Sequence, residues 1–194
     1  HQLGYRNTAN SYDAWDIATY EQYIRDLILF GTNGIELIPS YDPELVDGPV
    51  MQRKMWDMNV DLANLIASYG LDVMFWVPAL EDFAKAGEAE KALEIRKAFF
   101  ESCKRIDVVL VPGGDDGENP AELLMPWLEK MAPLLFASHP HAQLWVSNQT
   151  FEHAENDYFF HYLQEKKPEW LTGVAFGPWI KMTLKSTTTL DRSS

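Results

Sequence analysis

Two adjacent carboxylates, Asp115 and Asp116, stand in the stretch Pro112-Gly113-Gly114-Asp115-Asp116-Gly117-Glu118-Asn119-Pro120, with Glu118 as a third acid close behind. Neighbouring carboxylates raise each other's proton affinity, so one can hold a proton near neutral pH while the other stays ionised. Such a pair suits the breaking of a glycosidic bond, which needs a proton donor to the leaving oxygen and a base, nucleophile or stabiliser opposite it. Side chains adjacent in sequence can diverge. Asp115 directly follows a strand and is the preferred inward-facing member. The plainer reading, an Asp-Asp-Gly surface turn with one acid or both simply solvated, stays open beside the catalytic one.

The elements around the pair decide between these readings. Residues 106–111 (Ile-Asp-Val-Val-Leu-Val) form an apolar, β-branched run that stops at Pro-Gly-Gly. Asn119-Pro120-Ala121-Glu122 reads as a helix start, with Asn119 at the N-cap, Pro120 in the first helical position and Glu122 three residues past the cap. The acids therefore fall between the end of a buried strand and the start of a helix, the functional edge of an α/β protein. The same unit recurs along the chain. Strands are expected at 1–5, 35–39, 71–78, 106–111, 142–147 and 171–178, and helices at 17–30, 51–69, 88–105, 120–138 and 152–166. Pro126 and Pro133 predict a kink or break in the fourth helix. The third strand is apolar on both faces, which predicts a parallel sheet covered by helices.

The expectation is an α/β fold with a parallel sheet. A TIM-barrel-like (β/α)8 cylinder and an open doubly wound sheet both fit. No Gly-x-Gly-x-x-Gly opens the first helix, which counts against a dinucleotide fold. Residues 1–182 then form one barrel-like domain of about six β-α units, and residues 183–194 a polar tail. Six units fall short of eight, so either the barrel is incomplete, or the sheet is open, or a second copy closes it, which would make the protein a homo-oligomer.

Composition narrows the partners. A net charge of −13 and a pI near 4.7 leave no basic stripe for nucleic acid or for anionic lipid. No apolar run reaches membrane-spanning length. Cys103 is the single cysteine, which precludes an internal disulfide and reads as a buried structural thiol. It leaves the compartment open. The chain starts at His1, inside an expected strand, so upstream residues, a signal peptide among them, and a periplasmic or secreted location are the expectation. The histidines have no metal-site spacing: His139-Pro140-His141 precedes the fifth strand, on the stability side of the sheet, and the Glu152-His153 pair reads as a helix start. No cofactor is expected.

The remaining candidates suit a sugar. Glu36, on the second strand, should be paired or functional, either in an ion pair with Arg6 or gripping sugar hydroxyls together with it. Trp76, Trp145 and Trp179 fall toward the carboxyl-terminal edge, where aromatic faces stack on sugar rings, although core filling is the default role for any single Trp. Trp56, Trp127 and Trp170 read as packing. Asn148 and Gln149, after the fifth strand, offer neutral hydrogen-bonding groups for hydroxyls.

The segments His1-Gln2-Leu3-Gly4-Tyr5-Arg6, Asn10-Ser11-Tyr12-Asp13-Ala14-Trp15 and Phe30-Gly31-Thr32-Asn33-Gly34-Ile35-Glu36-Leu37 resemble the opening of (β/α)8 glycoside hydrolases. The nearest group is the α-glucuronidase and β-hexosaminidase-like barrels, including bacterial members of uncharacterised specificity. The resemblance implies hydrolysis of a terminal sugar. Arg6, ending the first strand, would contact that sugar, and Asp115 and Asp116 after the fourth would serve as acid/base and stabiliser. Hexosaminidases usually show Asp-Glu where this chain has Asp-Asp, as a related N-acetylglucosaminidase group does. A non-catalytic carbohydrate-binding barrel module and a metal-assisted isomerase or lyase on the same fold are the rival readings.

Overall fold

A computed structural model describes residues 15–38, 55–114 and 117–176, together with the backbone of residues 2–3. Arg6, Trp179, Asp115, Asp116 and the tail lie outside the described residues.

The first described helix, α1 (Ile17–Leu29), starts where Asp16 accepts the Thr19 backbone N–H at 2.8 Å, and Gly31 leaves it at φ +83°. The strands are β1 (Gln2–Leu3), β2 (Gly34–Leu37), β3 (Asp72–Trp76), β4 (Val108–Val111), β5 (Gln143–Ser147) and β6 (Gly173–Ala175). Between them run α2 (Met55–Ser68), α3 (Glu88–Ser102), α4 (Ala121–Ser138) and α5 (His153–Lys166). All neighbouring strands pair in parallel, in the order β1-β2-β3-β4-β5-β6. The protein is thus α/β with a parallel sheet, as its strand–helix alternation predicts.

The two faces of the sheet differ. Ile35, Leu37, Val73, Phe75, Val109, Val111, Leu144 and Val146 occupy matching register positions and are completely buried. Phe75 meets Phe99 of α3 edge-on at 5.0 Å. Glu36, Met74, Trp76, Val108, Leu110 and Trp145 take the alternate positions and are half-buried. The expectation of deep cover on both faces therefore holds for one. Tyr20, Ile24, Leu62, Phe99, Leu128 and Phe159 of the five helices share one core with the fully buried strand positions.

Helix α4 shows no break at its prolines. It runs unbroken from Ala121 to Ser138 with Pro126 and Pro133 inside it. Each proline costs about 3 kcal/mol in a helix interior. Against that, Leu124, Met125, Trp127, Leu128, Met131 and Leu135 are all buried, at about 1.5–3 kcal/mol each. Packing on both sides of each proline outweighs the lost hydrogen bonds. Cys103 follows α3 and is buried as expected; desolvation pushes its thiol up to about 12. Trp56 meets Phe99 edge-on at 5.0 Å, and Trp127 packs on Phe83 at 4.8 Å, both as core.

Candidate functional site at the carboxyl-terminal edge

Strands β3, β4 and β5 end side by side, and the three loops that leave them interlock. The loop after β4 is central. The Gly114 N–H donates to Gln149 O at 2.9 Å in the loop after β5, and the Glu118 N–H donates back to Gly114 O at 3.1 Å. That second bond closes a turn whose described residues, Gly114, Gly117 and Glu118, flank Asp115 and Asp116 in the sequence. Glu118 closes the turn with a left-handed φ of +50°. A non-glycine residue there carries strain that its surroundings must hold.

The turn is wedged from both sides. A Cβ on Gly113 would lie 2.7 Å from Ser147 O, and one on Gly114 would lie 2.8 Å from the Thr150 hydroxyl. On the other flank, a Cβ on Gly117 would lie 1.6 Å from Ala79 O in the loop after β3. Gly113 and Gly117 are required by close backbone approach, whereas Gly114 makes room for the Thr150 side chain.

Asn119 completes the joint, and here the sequence expectation is corrected. Pro120 occupies the N-cap position of α4 and makes no side-chain cap bond. The Asn119 side chain is instead buried against the loop after β3. Its Nδ2 donates to Ala79 O at 2.7 Å and Glu81 O at 2.8 Å, and its Oδ1 accepts from the Phe83 N–H at 2.9 Å. One planar amide satisfies three backbone groups that α4 does not need, which a capping pattern read along the chain alone cannot reveal.

The loop after β3 is pinned a second time. The guanidinium of Arg96 on α3 is fully buried and pairs bidentately with Glu81, one of its two bonds being Nη2 to Oε2 at 2.9 Å. Arg96 also donates to Pro78 O at 2.8 Å and lies over the Trp127 ring at 5.6 Å. Neither Arg96 nor Asn119 stood among the expected site residues. The weak signal for Arg96 was a cation placed among apolar residues of a helix, which calls for a buried partner.

The other expected residues separate. Trp76 and Trp145 come together: Trp76, Leu110, Trp145 and Gly173 form one cross-strand row on the half-buried face. At the usual strand spacing the two tryptophan backbones stand about 10 Å apart. The Trp145 indole N–H donates to Gln143 Oε1 at 3.0 Å, and its ring spreads over Gly173, where a Cβ would come within 2.5 Å. Glu36 lies on the same face, one position before Leu37 and in register with Met74.

Asn148 goes elsewhere. It is fully buried, and its Nδ2 donates to Asn156 Oδ1 of α5 at 2.6 Å. Asn156 in turn donates to Phe151 O and Glu152 O. Asn148 thus holds the β5–α5 turn instead of facing outward. Gln149 supplies the carbonyl that receives Gly114. His153 is the first residue of α5, where the Glu155 carboxylate accepts the Glu152 N–H at 2.7 Å, so the Glu152-His153 pair is a helix start as expected. Among the described residues no three His, Cys, Asp or Glu side chains group as metal ligands, and no helix is long and apolar enough to cross a membrane.

No family model and no curated protein matches the chain.

Proposed function

We propose that the chain is the barrel-type domain of a glycoside hydrolase acting on a terminal sugar, with Asp115 and Asp116 as acid/base and stabiliser. The turn that carries them is the supporting observation. It is closed on itself by Glu118 and Gly114, wedged between two neighbouring loops and set at the carboxyl-terminal edge of a parallel sheet. A solvated connection needs none of this. Fixed backbone placement is what a reacting pair requires, because catalysis depends on holding groups in near-attack geometry. Two of the non-glycine residues with left-handed φ, Glu118 and Thr150, belong to this rim.

The strand order supports the barrel. A doubly wound sheet reverses its order at a switch point. Six strands in chain order, with helices on the fully buried face, are the succession that a (β/α)8 cylinder uses. The Trp76–Leu110–Trp145 row then lies on the inner side as an apolar floor, and Arg6, Glu36 and Trp179 are proposed sugar contacts.

The chemistry follows from the pair. One carboxyl protonates the leaving oxygen as the glycosidic bond breaks. Its ionised neighbour stabilises the positive charge developing on the sugar, directly or through an acetamido group of the substrate. Water supplies the hydroxyl of the product, and its proton returns to the acid. A panel of aryl glycosides tests the proposal. Turnover by the wild type, lost in Asp115→Asn or Asp116→Asn without change in fold, supports it. Sugar binding by calorimetry with no turnover on any substrate favours the non-catalytic carbohydrate-binding module.

A further inference from the structure

We infer that Asn119 is a positioning residue for the acid pair, acting through the backbone of the 114–118 turn. The inference rests on the reading of Asp115 and Asp116 given above. Asn119 does not belong to the reacting groups: it is buried, and all three of its described bonds run to backbone groups of the loop after β3, at Ala79, Glu81 and Phe83. Yet it follows the turn by a single residue, so any movement of Asn119 is transmitted to Glu118, whose N–H closes the turn on Gly114. Gly117 packs against the same Ala79 carbonyl that receives the Asn119 amide. Two contacts of different kinds, one polar and one steric, therefore register the acid turn on one carbonyl.

The loop after β3 is a firm anchor for this registration. Glu81, whose carbonyl accepts from Asn119, places its carboxylate in the bidentate pair with the buried Arg96 of α3. The path from α3 through Arg96, Glu81 and Asn119 to the turn is continuous. It fixes the residues that flank the acids, Gly114, Gly117 and Glu118, through a neutral amide that supplies both donors and an acceptor. A charged clamp in the same place would shift the proton affinities that the pair depends on.

The test compares wild type, Asn119→Ala, Asn119→Asp and Gly117→Ala in the full chain, by amide hydrogen exchange and by steady-state turnover of the aryl glycoside that the wild type cleaves. Asn119→Asp keeps the acceptor for Phe83 but cannot donate to Ala79 and Glu81. Gly117→Ala pushes on Ala79 O with Asn119 intact, and so covers the case in which Asn119→Ala does not fold. The expected result is faster exchange at both 79–83 and 114–118 in every variant, with kcat reduced about 100-fold and KM altered much less, the pattern of misplaced reacting groups. Exchange unchanged in the 114–118 turn overturns the clamp. Faster exchange with kcat preserved overturns its positioning role. A wild type inactive on every glycoside, with the exchange pattern as expected, overturns the hydrolase reading and with it the catalytic part of the inference, while the coupling of the two loops stands.

Discussion

The two edges of the sheet are held by different means. At the carboxyl-terminal edge of β3–β5 the links are largely buried and either neutral or charge-paired: the Asn119 amide, the Asn148–Asn156 pair, the Arg96–Glu81 ion pair and two glycines, Gly113 and Gly117, at backbone contact. At the amino-terminal edge a buried link, His139 Nε2 to Phe100 O at 2.8 Å, stands beside a set of solvated charges. Arg105 reaches Asp107 at 2.8 Å and Asp72 at 3.4 Å, all three partly or largely exposed, and Asp107 accepts the Val73 N–H at 2.8 Å. An exposed ion pair tolerates rearrangement at little cost. A buried amide that satisfies three backbone groups does not. The first kind of joint only has to keep strands together. The second holds each loop by several directional bonds, and it involves the residues that flank Asp115 and Asp116 in the sequence.

That contrast can be broken deliberately, starting at the rim. Glu81→Ala leaves the Arg96 guanidinium buried without its carboxylate, and the expected loss is about 4 kcal/mol of unfolding free energy in urea titration. Asn119→Ala strands the Phe83 N–H and the carbonyls of Ala79 and Glu81, for an expected loss of about 3 kcal/mol by the same measurement. Gly173→Ala forces the Trp145 ring off β6 and should cost about 2 kcal/mol, with a shift in tryptophan emission.

The amino-terminal side gives the smaller effects. The Cys103 thiol has its folded-state pKa raised by burial from 9.0 to about 12. The unfolded chain therefore loses this proton first, and stability falls as pH rises above 9, by about 1 kcal/mol at pH 10 from this group. A thiol reagent at pH 8 should leave native Cys103 unmodified and label it on denaturation. Arg105→Ala should cost less than about 1 kcal/mol, and less still at high salt. A loss at Arg105 as large as that at Asn119 would erase the distinction between the edges.

How far the sequence carries this picture depends on the range of the interaction. Hydrophobic periodicity is local, and it gives the strands and helices to within a few residues and their parallel arrangement. Glycine and β-branched runs mark where β4 stops. The roles of Asn119 and Arg96 rest on contacts across 36 to 40 residues in one case and 15 to 18 in the other. Asn119 beside Pro120 also satisfies every local rule for a helix cap, so the tertiary use of its amide is hidden by a plausible local one. The prolines of α4 mislead for the converse reason: their cost is local and legible, while the burial that overcomes it is not. Asn148, a polar residue at a strand end, reads as facing ligand, and the contact with Asn156 of α5 that turns it inward lies beyond any local pattern.

The central claim is that the turn closed by Gly114 and Glu118 presents a reacting carboxyl. Turnover of an aryl glycoside by Asp115→Asn, measured beside its melting temperature, tests it most directly. The account predicts a fall of about 100- to 10,000-fold in kcat, the usual contribution of a general acid or base, with the melting temperature within a degree or so of wild type, as for a surface substitution away from packing. Wild-type turnover in that variant would contradict it.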